Sequence, residues 1–182
     1  GLKWSWDRDK QVAEWCDFNR VKFVENPSNG VVRKLKTRDN WKKYRDKRVS
    51  AELIPRPGSI PSPSGSHSDE IPTMKELGLD TRSLEYRPIP GEAAALSTLN
   101  SFLNERGRGY RKGMSSPITG EVMCSRISPY LSTGCLSIKQ IFHHTVVRQR
   151  QVKVDPRSPE NLGFTSSLTS FQSRLAWHCH FM

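Results

Sequence analysis

A proline-rich segment divides this 182-residue chain into two halves with different sequence patterns. Residues 55–72 contain five prolines, with serine and glycine between them, and show almost no apolar periodicity. Because proline lacks a backbone donor and fixes φ, the segment predicts an extended linker rather than a helix or a central strand. We therefore expect two structural units joined by a linker.

The first half predicts a helix, a strand, a loop and a second helix. Apolar residues recur at helical spacing over residues 7–19, and residues 21–24 are typical of a short strand. The second helix is expected from Thr37, with Trp41 and Tyr44 three residues apart. This alternation predicts the tail of an α/β, Rossmann-like domain, although too few strands are present to close a sheet.

Only helical patterns follow the linker, which predicts part of an all-α domain. The first helix is expected over residues 92–104, and Ser137 with Gln140 forms a capping box before another. Residues 148–165 predict a polar loop, and a last helix is expected from about Ser167. The apolar stripe of that helix consists of Leu168, Phe171, Leu175, Cys179 and Met182.

Composition narrows the class of protein. No apolar run approaches the roughly 18 to 20 residues that cross a bilayer, and no secretion signal is present. The four cysteines lie far apart without a CxxC pair, as is usual for reduced thiols. We therefore expect a cytoplasmic protein with no membrane partner. A monomer is also expected, although no sequence pattern determines the oligomeric state. Because the chain opens on Gly1 and ends within a helical pattern, we also expect an excerpt of a longer protein.

The positive charge of the chain is concentrated in one run. Lys and Arg number 29 against 18 Asp and Glu, a formal net charge of +11, and residues 31–48 alone hold nine Lys or Arg against two Asp. Such a run suits contacts with the phosphate backbone of nucleic acid. Basic runs are also common on solvated helix faces, and base-stacking aromatics are not interleaved here. The solvated face is the favoured interpretation, and nucleic-acid binding stays open.

Two further patterns carry possible chemistry. Residues 124–128 combine hydroxyls, successive backbone N–H groups and one guanidinium before a predicted helix, which suits a phosphate, although serine also caps helices without a ligand. Trp177 points away from the apolar stripe, so it either packs against another part of the protein or stacks on a base or cofactor. Simple helix capping is the favoured interpretation of residues 124–128, and packing is the favoured interpretation of Trp177. The histidines lack the spacing of a zinc pair, so no metal site is predicted.

Taken together, several segments resemble the photolyase and cryptochrome family of flavoproteins. Order and spacing agree with the family over residues 91–182, and the agreement is looser over residues 1–54. The segments that carry the resemblance are residues 91–96, Tyr110, residues 125–137 and residues 173–177.

The resemblance implies three parts and a flavin cofactor. Residues 1–54 would be the C-terminal part of an α/β antenna domain, residues 55–90 an interdomain linker, and residues 91–182 the N-terminal part of a helical FAD-binding domain. A second chromophore of folate or deazaflavin type is compatible with the antenna domain. Since the resemblance places only one wall of the FAD pocket in this chain, we expect the chain alone to bind FAD weakly or not at all.

The resemblance also implies two sets of site residues, and it assigns no catalytic residue. The cofactor-binding set is Tyr110, Cys124, Ser125, Arg126, Ile127 and Ser128, with Cys124 standing where the family usually has threonine. The set that would face DNA is Arg174, Trp177 and His178. Trp177 would flank a pyrimidine dimer that has been flipped out of the DNA stack.

Two functions follow from this resemblance. The first is a DNA photolyase, a lyase in which light-excited FAD passes an electron to a pyrimidine dimer in DNA and splits it. The second is a cryptochrome-like blue-light photoreceptor without repair activity. Photolyases that repair cyclobutane dimers commonly carry a carboxylate where this chain has Arg174, which favours the photoreceptor, whereas the basic surface favours repair. Whether the protein is an enzyme stays open at this point.

Overall fold

The computed structural model describes residues 3–26, 30, 32, 35–62, 64–65, 67–80 and 87–181. Regular structure within these ranges is helical, with a short 3₁₀ turn at Arg106–Gly109. The α-helices are α1 (Lys3–Phe18), α2 (Trp41–Ser50), α3 (Glu92–Asn104), α4 (Tyr110–Gly113), α5 (Gly120–Met123), α6 (Ser128–Ser132), α7 (Ile138–Val154) and α8 (Phe164–Phe181).

The strand predicted at residues 21–24 does not form. Residues 21–26 are neither helix nor strand, and the side chains of Val21, Phe23 and Val24 are exposed. A strand completes its backbone hydrogen bonds only against a partner strand, and the described ranges contain none. The assignment of residues 1–54 to an α/β domain therefore stays a prediction.

The helical predictions of the second half are largely confirmed. Helix α3 has the predicted bounds, and the capping box of α7 is present: the Ser137 N–H donates to Gln140 Oε1 at 2.8 Å, and the Gln140 N–H donates to Ser137 Oγ at 3.1 Å. The polar loop predicted over residues 148–165 is wrong at both ends. Helix α7 continues to Val154, and α8 begins at Phe164.

The extension of α7 has a tertiary cause. Val152 is buried in the core, so the last turns of the helix are fixed by packing despite their polar sequence. Arg148 adds hydrogen bonds from Nε to the Leu103 carbonyl at 3.1 Å and from Nη2 to the Glu160 carbonyl at 3.3 Å. Helix α8 begins early because the Phe164 side chain is also buried.

The hydrophobic core lies where α3, α7 and α8 meet. The described members of the predicted α8 stripe are all buried, and Met182 lies outside the described residues. Three aromatic rings join α3, α4 and α8: the centroid of Phe102 lies 5.4 Å from that of Tyr110 and 4.6 Å from that of Phe171. This cluster fixes Tyr110 against α8, which matters for the site below.

The basic run is only partly a solvated face. Helix α2 begins at Trp41 after Asn40, later than the predicted start at Thr37. Lys42 is exposed and pairs with Asp46 at 2.6 Å, as expected of a surface helix. Arg45 is 4% exposed, however, and its guanidinium lies 5.7 Å from the Phe142 ring of α7. One cation of the run therefore packs in the interior.

The proline-rich segment lacks regular structure within its described residues, apart from a turn at residues 64–65. The described residues of 55–72 form neither helix nor strand and are exposed. Among the described helices, none has both the length and the apolar character needed to cross a membrane.

Candidate functional site

One open cleft gathers five of the six predicted cofactor-binding residues. Its volume is about 680 Å³, within the usual range of small-molecule sites. Helix α3 forms one wall and α6 another, and the end of the linker lies across them, where the Tyr130 hydroxyl donates to the Ile89 carbonyl at 2.9 Å. The lining residues are Pro88, Ile89, Ala94, Ser97, Thr98, Tyr110, Cys124, Ser125, Arg126, Ser128, Pro129 and Tyr130.

Ile127 is the predicted residue whose side chain does not reach the cleft. It is 3% exposed and belongs to the hydrophobic core. Its neighbours on both sides, Arg126 and Ser128, line the cleft. The Ile127 side chain therefore anchors the segment in the core, as an apolar residue between polar ones commonly does, and its place in the cofactor-binding set stays a prediction. Only its backbone remains available to a ligand.

The backbone of this segment has an unusual conformation. Arg126 has φ +60°, in the left-handed region, and Ile127 follows with φ −90° and ψ −7° in the right-handed region. Left-handed geometry costs a non-glycine residue roughly 1–2 kcal/mol. A left-handed residue beside a right-handed one turns successive N–H groups toward one point, the arrangement called a nest, which binds anions.

The N–H groups of this nest are available. They belong to Arg126, Ile127 and Ser128, and within the described part of the chain none of them donates a hydrogen bond to another protein group. Arg126 and Ser128 are exposed and Ile127 is buried, so water reaches at least the first and last of these N–H groups when no ligand is bound. The nest therefore offers three donors beside the cleft, together with the hydroxyls of Ser125 and Ser128.

Arg106 holds the segment from the side away from the cleft. All five N–H bonds of its guanidinium donate, the full complement for arginine. Nε donates to Ser101 Oγ at 3.0 Å, and Nη2 donates to the Thr98 carbonyl at 3.2 Å and to the Ser125 carbonyl at 3.3 Å. Nη1 donates to the carbonyls of Val122 at 3.1 Å and Cys124 at 2.7 Å.

The direction of these carbonyls orients the N–H groups. In a trans peptide the C=O and the following N–H point in opposite directions, and the described residues contain no cis peptide. Since the carbonyls of Cys124 and Ser125 point at Arg106, the N–H groups of Ser125 and Arg126 point away from it. No local sequence pattern indicates this role of Arg106, because its partners other than Ser101 lie 8 to 19 residues away in the sequence.

The cleft is electropositive. Among its lining residues none is acidic, and in the ranges that the structure describes no salt bridge reaches Arg106 or Arg126. Burial lowers the pKa of Arg106, and the positive charge of Arg126 lowers it further. Burial likewise raises the pKa of Tyr110. The pair of arginines therefore favours an anionic ligand.

Cys124 contributes less than a hydroxyl residue would. Its Sγ lies 3.8 Å from the Met114 carbonyl, so the thiol has an internal acceptor. A thiol is a weak donor and a weak acceptor. Cys124 would therefore contact a ligand mainly through its polarizable sulfur and not through a strong hydrogen bond.

The second predicted set lies on α8, outside the cleft. The Arg174 guanidinium carbon lies 3.8 Å from the centroid of the Trp177 ring, in a cation–π contact. Trp177 is 49% exposed, so it does not pack into the core formed by the described residues. His178 is half-buried, and desolvation lowers its pKa. Its Nδ1 has no hydrogen-bond partner among the described residues.

Tyr110 connects the two sets. Its ring lies edge-on to Phe171 of α8 at 5.8 Å, while its side chain lines the cleft. The charge of Arg174, one turn beyond Phe171, lowers the pKa of Tyr110 in opposition to burial. The cleft and the Arg174–Trp177 pair therefore lie on either side of the Tyr110 ring.

In the described part of the chain no three metal-ligating side chains come together.

Comparison with known proteins finds a partial relative. Over 93 residues the chain is 30% identical to Blue-light photoreceptor PHR2 of Arabidopsis thaliana. The match covers 46% of this chain and 21% of that protein, so the chain spans about a fifth of the relative's length. No protein-family model matches the chain, and no solved structure matches it. The similarity is therefore limited to about half of this chain.

Proposed function

We propose that this chain forms the phosphate-binding wall of a flavin pocket in a blue-light flavoprotein of the photolyase and cryptochrome family. The observation that carries the proposal is the nest at residues 126–128, which presents three free N–H groups beside a cleft without acidic lining residues. The sequence resemblance and the similarity to a plant blue-light photoreceptor support the same family. When bound, FAD would supply the light absorption and the electron transfer.

The residues of the cleft fit the polar part of FAD. Its pyrophosphate carries two negative charges and several acceptor oxygens, which match the nest N–H groups, the hydroxyls of Ser125 and Ser128, and the cation of Arg126. Tyr110, which lines the same cleft, would offer an aromatic surface to the cofactor. Cys124 also lines the cleft, but its thiol forms only weak hydrogen bonds.

Within this family we favour the light-sensing function over DNA repair. Repair requires a flipped pyrimidine dimer to lie against Trp177, but the guanidinium of Arg174 covers that ring at 3.8 Å. A base could stack there only after Arg174 moved and the cation–π contact was lost, about 0.5–1 kcal/mol at an exposed site. Arg174 also places a cation where repair enzymes of the family commonly have a carboxylate.

Dimer repair is the second candidate, supported by the net charge of +11 and by the exposure of Trp177. Its partner would be DNA that contains pyrimidine dimers, and the protein would then be a lyase. The two candidates separate in one assay on the natural-length protein, in which an oligonucleotide with a single dimer is illuminated with blue light. We expect no dimer loss above a dark control. Light-dependent repair would establish the photolyase instead.

The flavin proposal is tested by cofactor content. The natural-length protein should purify with FAD, and Arg126→Gly should lose most of it, because glycine keeps the left-handed backbone but removes the cation. Arg157→Gly, at an exposed arginine of the loop between α7 and α8, is the matched control and should retain FAD. Wild-type protein without flavin, or equal flavin in the two variants, would contradict the proposal.

The remaining parts of the family architecture stay predictions. These are an antenna domain that includes residues 1–54, its folate- or deazaflavin-type chromophore, and the role of residues 55–90 as a linker between domains. A structure of the natural-length protein would test all three.

A further inference from the structure

Arg106 is placed by its sequence at an ordinary helix end, directly after α3. The structure gives it a different environment. Its side chain is half-buried, it lies 6.0 Å from the Phe102 ring, and every N–H of its guanidinium has an acceptor. A side chain that contacts α3 and residues 122–125 at once joins one wall of the cleft to the segment that precedes the nest.

We infer that Arg106 is the positioning residue of the anion site: it holds residues 122–125 so that the nest at residues 126–128 faces a pyrophosphate-bearing ligand. The inference rests on the proposed function and deepens it, because it names what builds the site from a residue that does not line the cleft. Arg106 touches no ligand. It acts through the peptide groups of Cys124 and Ser125.

The backbone of Arg126 is strained and depends on its neighbours to hold it. Arg126 is a non-glycine residue in the left-handed region, so its conformation persists only where the surrounding structure fixes it. Two anchors flank it. On one side the Ile127 side chain is buried in the core, and on the other the Ser125 carbonyl accepts a hydrogen bond from Arg106 Nη2. Release of the second anchor would let the segment relax to an ordinary conformation and disperse the N–H groups.

The Arg106 cation also balances the partial negative charge of carbonyl oxygens beside the cleft. The carbonyls of Val122, Cys124 and Ser125 carry partial negative charge close to the cleft, and the Arg106 cation compensates them at 2.7 to 3.3 Å. The N–H groups of Ser125 and Arg126, which carry partial positive charge, therefore point away from Arg106. A lysine would keep the charge but, with three donors on one atom, could not reach this spread of acceptors.

The chain offers a matched control at Arg148. It also uses a guanidinium to bind backbone carbonyls, those of Leu103 and Glu160, and it also lies near an aromatic ring, at 5.0 Å from Phe164. Its partners lie away from the cleft, since none of these residues lines it. Arg148→Lys therefore reproduces the loss of guanidinium–carbonyl bonds without touching the nest.

The experiment compares wild type, Arg106→Lys and Arg148→Lys in the natural-length protein. Inorganic pyrophosphate is titrated while the backbone amide signals of residues 126–128 are followed by NMR, and the flavin-to-protein ratio is measured in parallel. In wild type, pyrophosphate should shift these three amides. Arg106→Lys should weaken pyrophosphate binding about tenfold or more, which corresponds to ~1.4 kcal/mol, and should lower flavin content. Arg148→Lys should leave both pyrophosphate binding and flavin content unchanged.

The outcomes separate this inference from the proposed function. Pyrophosphate binding at residues 126–128 without flavin in wild type would remove the flavin proposal and leave the role of Arg106 standing, provided that Arg106→Lys still weakens binding. Unchanged pyrophosphate affinity in Arg106→Lys, equal losses in the two lysine variants, or a wild type that binds no pyrophosphate would each overturn it. If Arg106→Lys does not fold, the wild-type Arg106 Nε–H must be protected from solvent exchange, and an unprotected Nε–H overturns the inference.

Discussion

Phe171 and Trp177 are both aromatic residues of α8, but their replacement by alanine should lower the free energy of unfolding by very different amounts. Phe171 is 2% exposed and lies 4.6 Å from the Phe102 ring, so Phe171→Ala should lower the free energy of unfolding by about 3–5 kcal/mol. Trp177 is 49% exposed, so its truncation loses only part of a burial worth ~1.5–3 kcal/mol, together with a cation–π contact of ~0.5–1 kcal/mol. We expect about 1–2 kcal/mol for Trp177→Ala.

Urea denaturation followed by the helical circular dichroism signal measures both values. At about 2–4 °C of melting temperature per kcal/mol for a chain of this size, Trp177→Ala should melt only a few degrees below wild type. The double variant with Arg174→Ala should show a coupling of about 0.5–1 kcal/mol between the two side chains. A cost for Trp177→Ala equal to that of Phe171→Ala would show that Trp177 is a core residue, and the account of an exposed, arginine-covered ring would fail.

Three further predictions concern local features. Ser137→Ala removes the cap of α7 and should cost about 1 kcal/mol in urea denaturation, whereas Ser64→Ala in the exposed linker should cost nothing measurable; equal effects would refute the capping role. Gly107→Ala places a Cβ against the carbonyl and ring of Phe102 and should cost about 1–3 kcal/mol, and a neutral result in the same assay would contradict this close contact. Because burial lowers the pKa of His178 below its ordinary value of 6.5, the unfolded chain binds more protons. The free energy of unfolding should therefore fall as pH drops below about 6.5, and His178→Gln should flatten that dependence; an identical pH profile in the variant would show that His178 is not the cause.

Local sequence patterns predicted the parts of the fold that local forces determine. Helix α3, the capping box at Ser137 and Gln140, and the apolar stripe of α8 all depend on residues within a few positions of one another. Motif resemblance added the candidate cofactor residues, and the structure brings Tyr110 to the same cleft as Cys124, Ser125, Arg126 and Ser128. Their spacing alone does not determine that convergence, since it requires α3, α4 and α6 to pack.

The features that sequence patterns missed depend on tertiary contacts. Polar residues after Arg148 predicted a loop, yet burial of Val152 keeps them helical. The left-handed conformation of Arg126 has no local signal, because it follows from anchors on either side. The contacts of Arg106 have no local signal for the same reason, because its carbonyl acceptors in residues 122–125 lie 16 to 19 positions away.

The most direct test of the central claim compares FAD with riboflavin, which has the same ring system but no phosphate. The claim is that the nest at residues 126–128 holds the pyrophosphate of a flavin dinucleotide. In the natural-length protein, FAD should shift the backbone amide signals of Arg126, Ile127 and Ser128, whereas riboflavin should leave them in place and bind more weakly. Equal affinity for the two flavins, or amide shifts that appear equally with riboflavin, would show that these N–H groups do not hold a pyrophosphate.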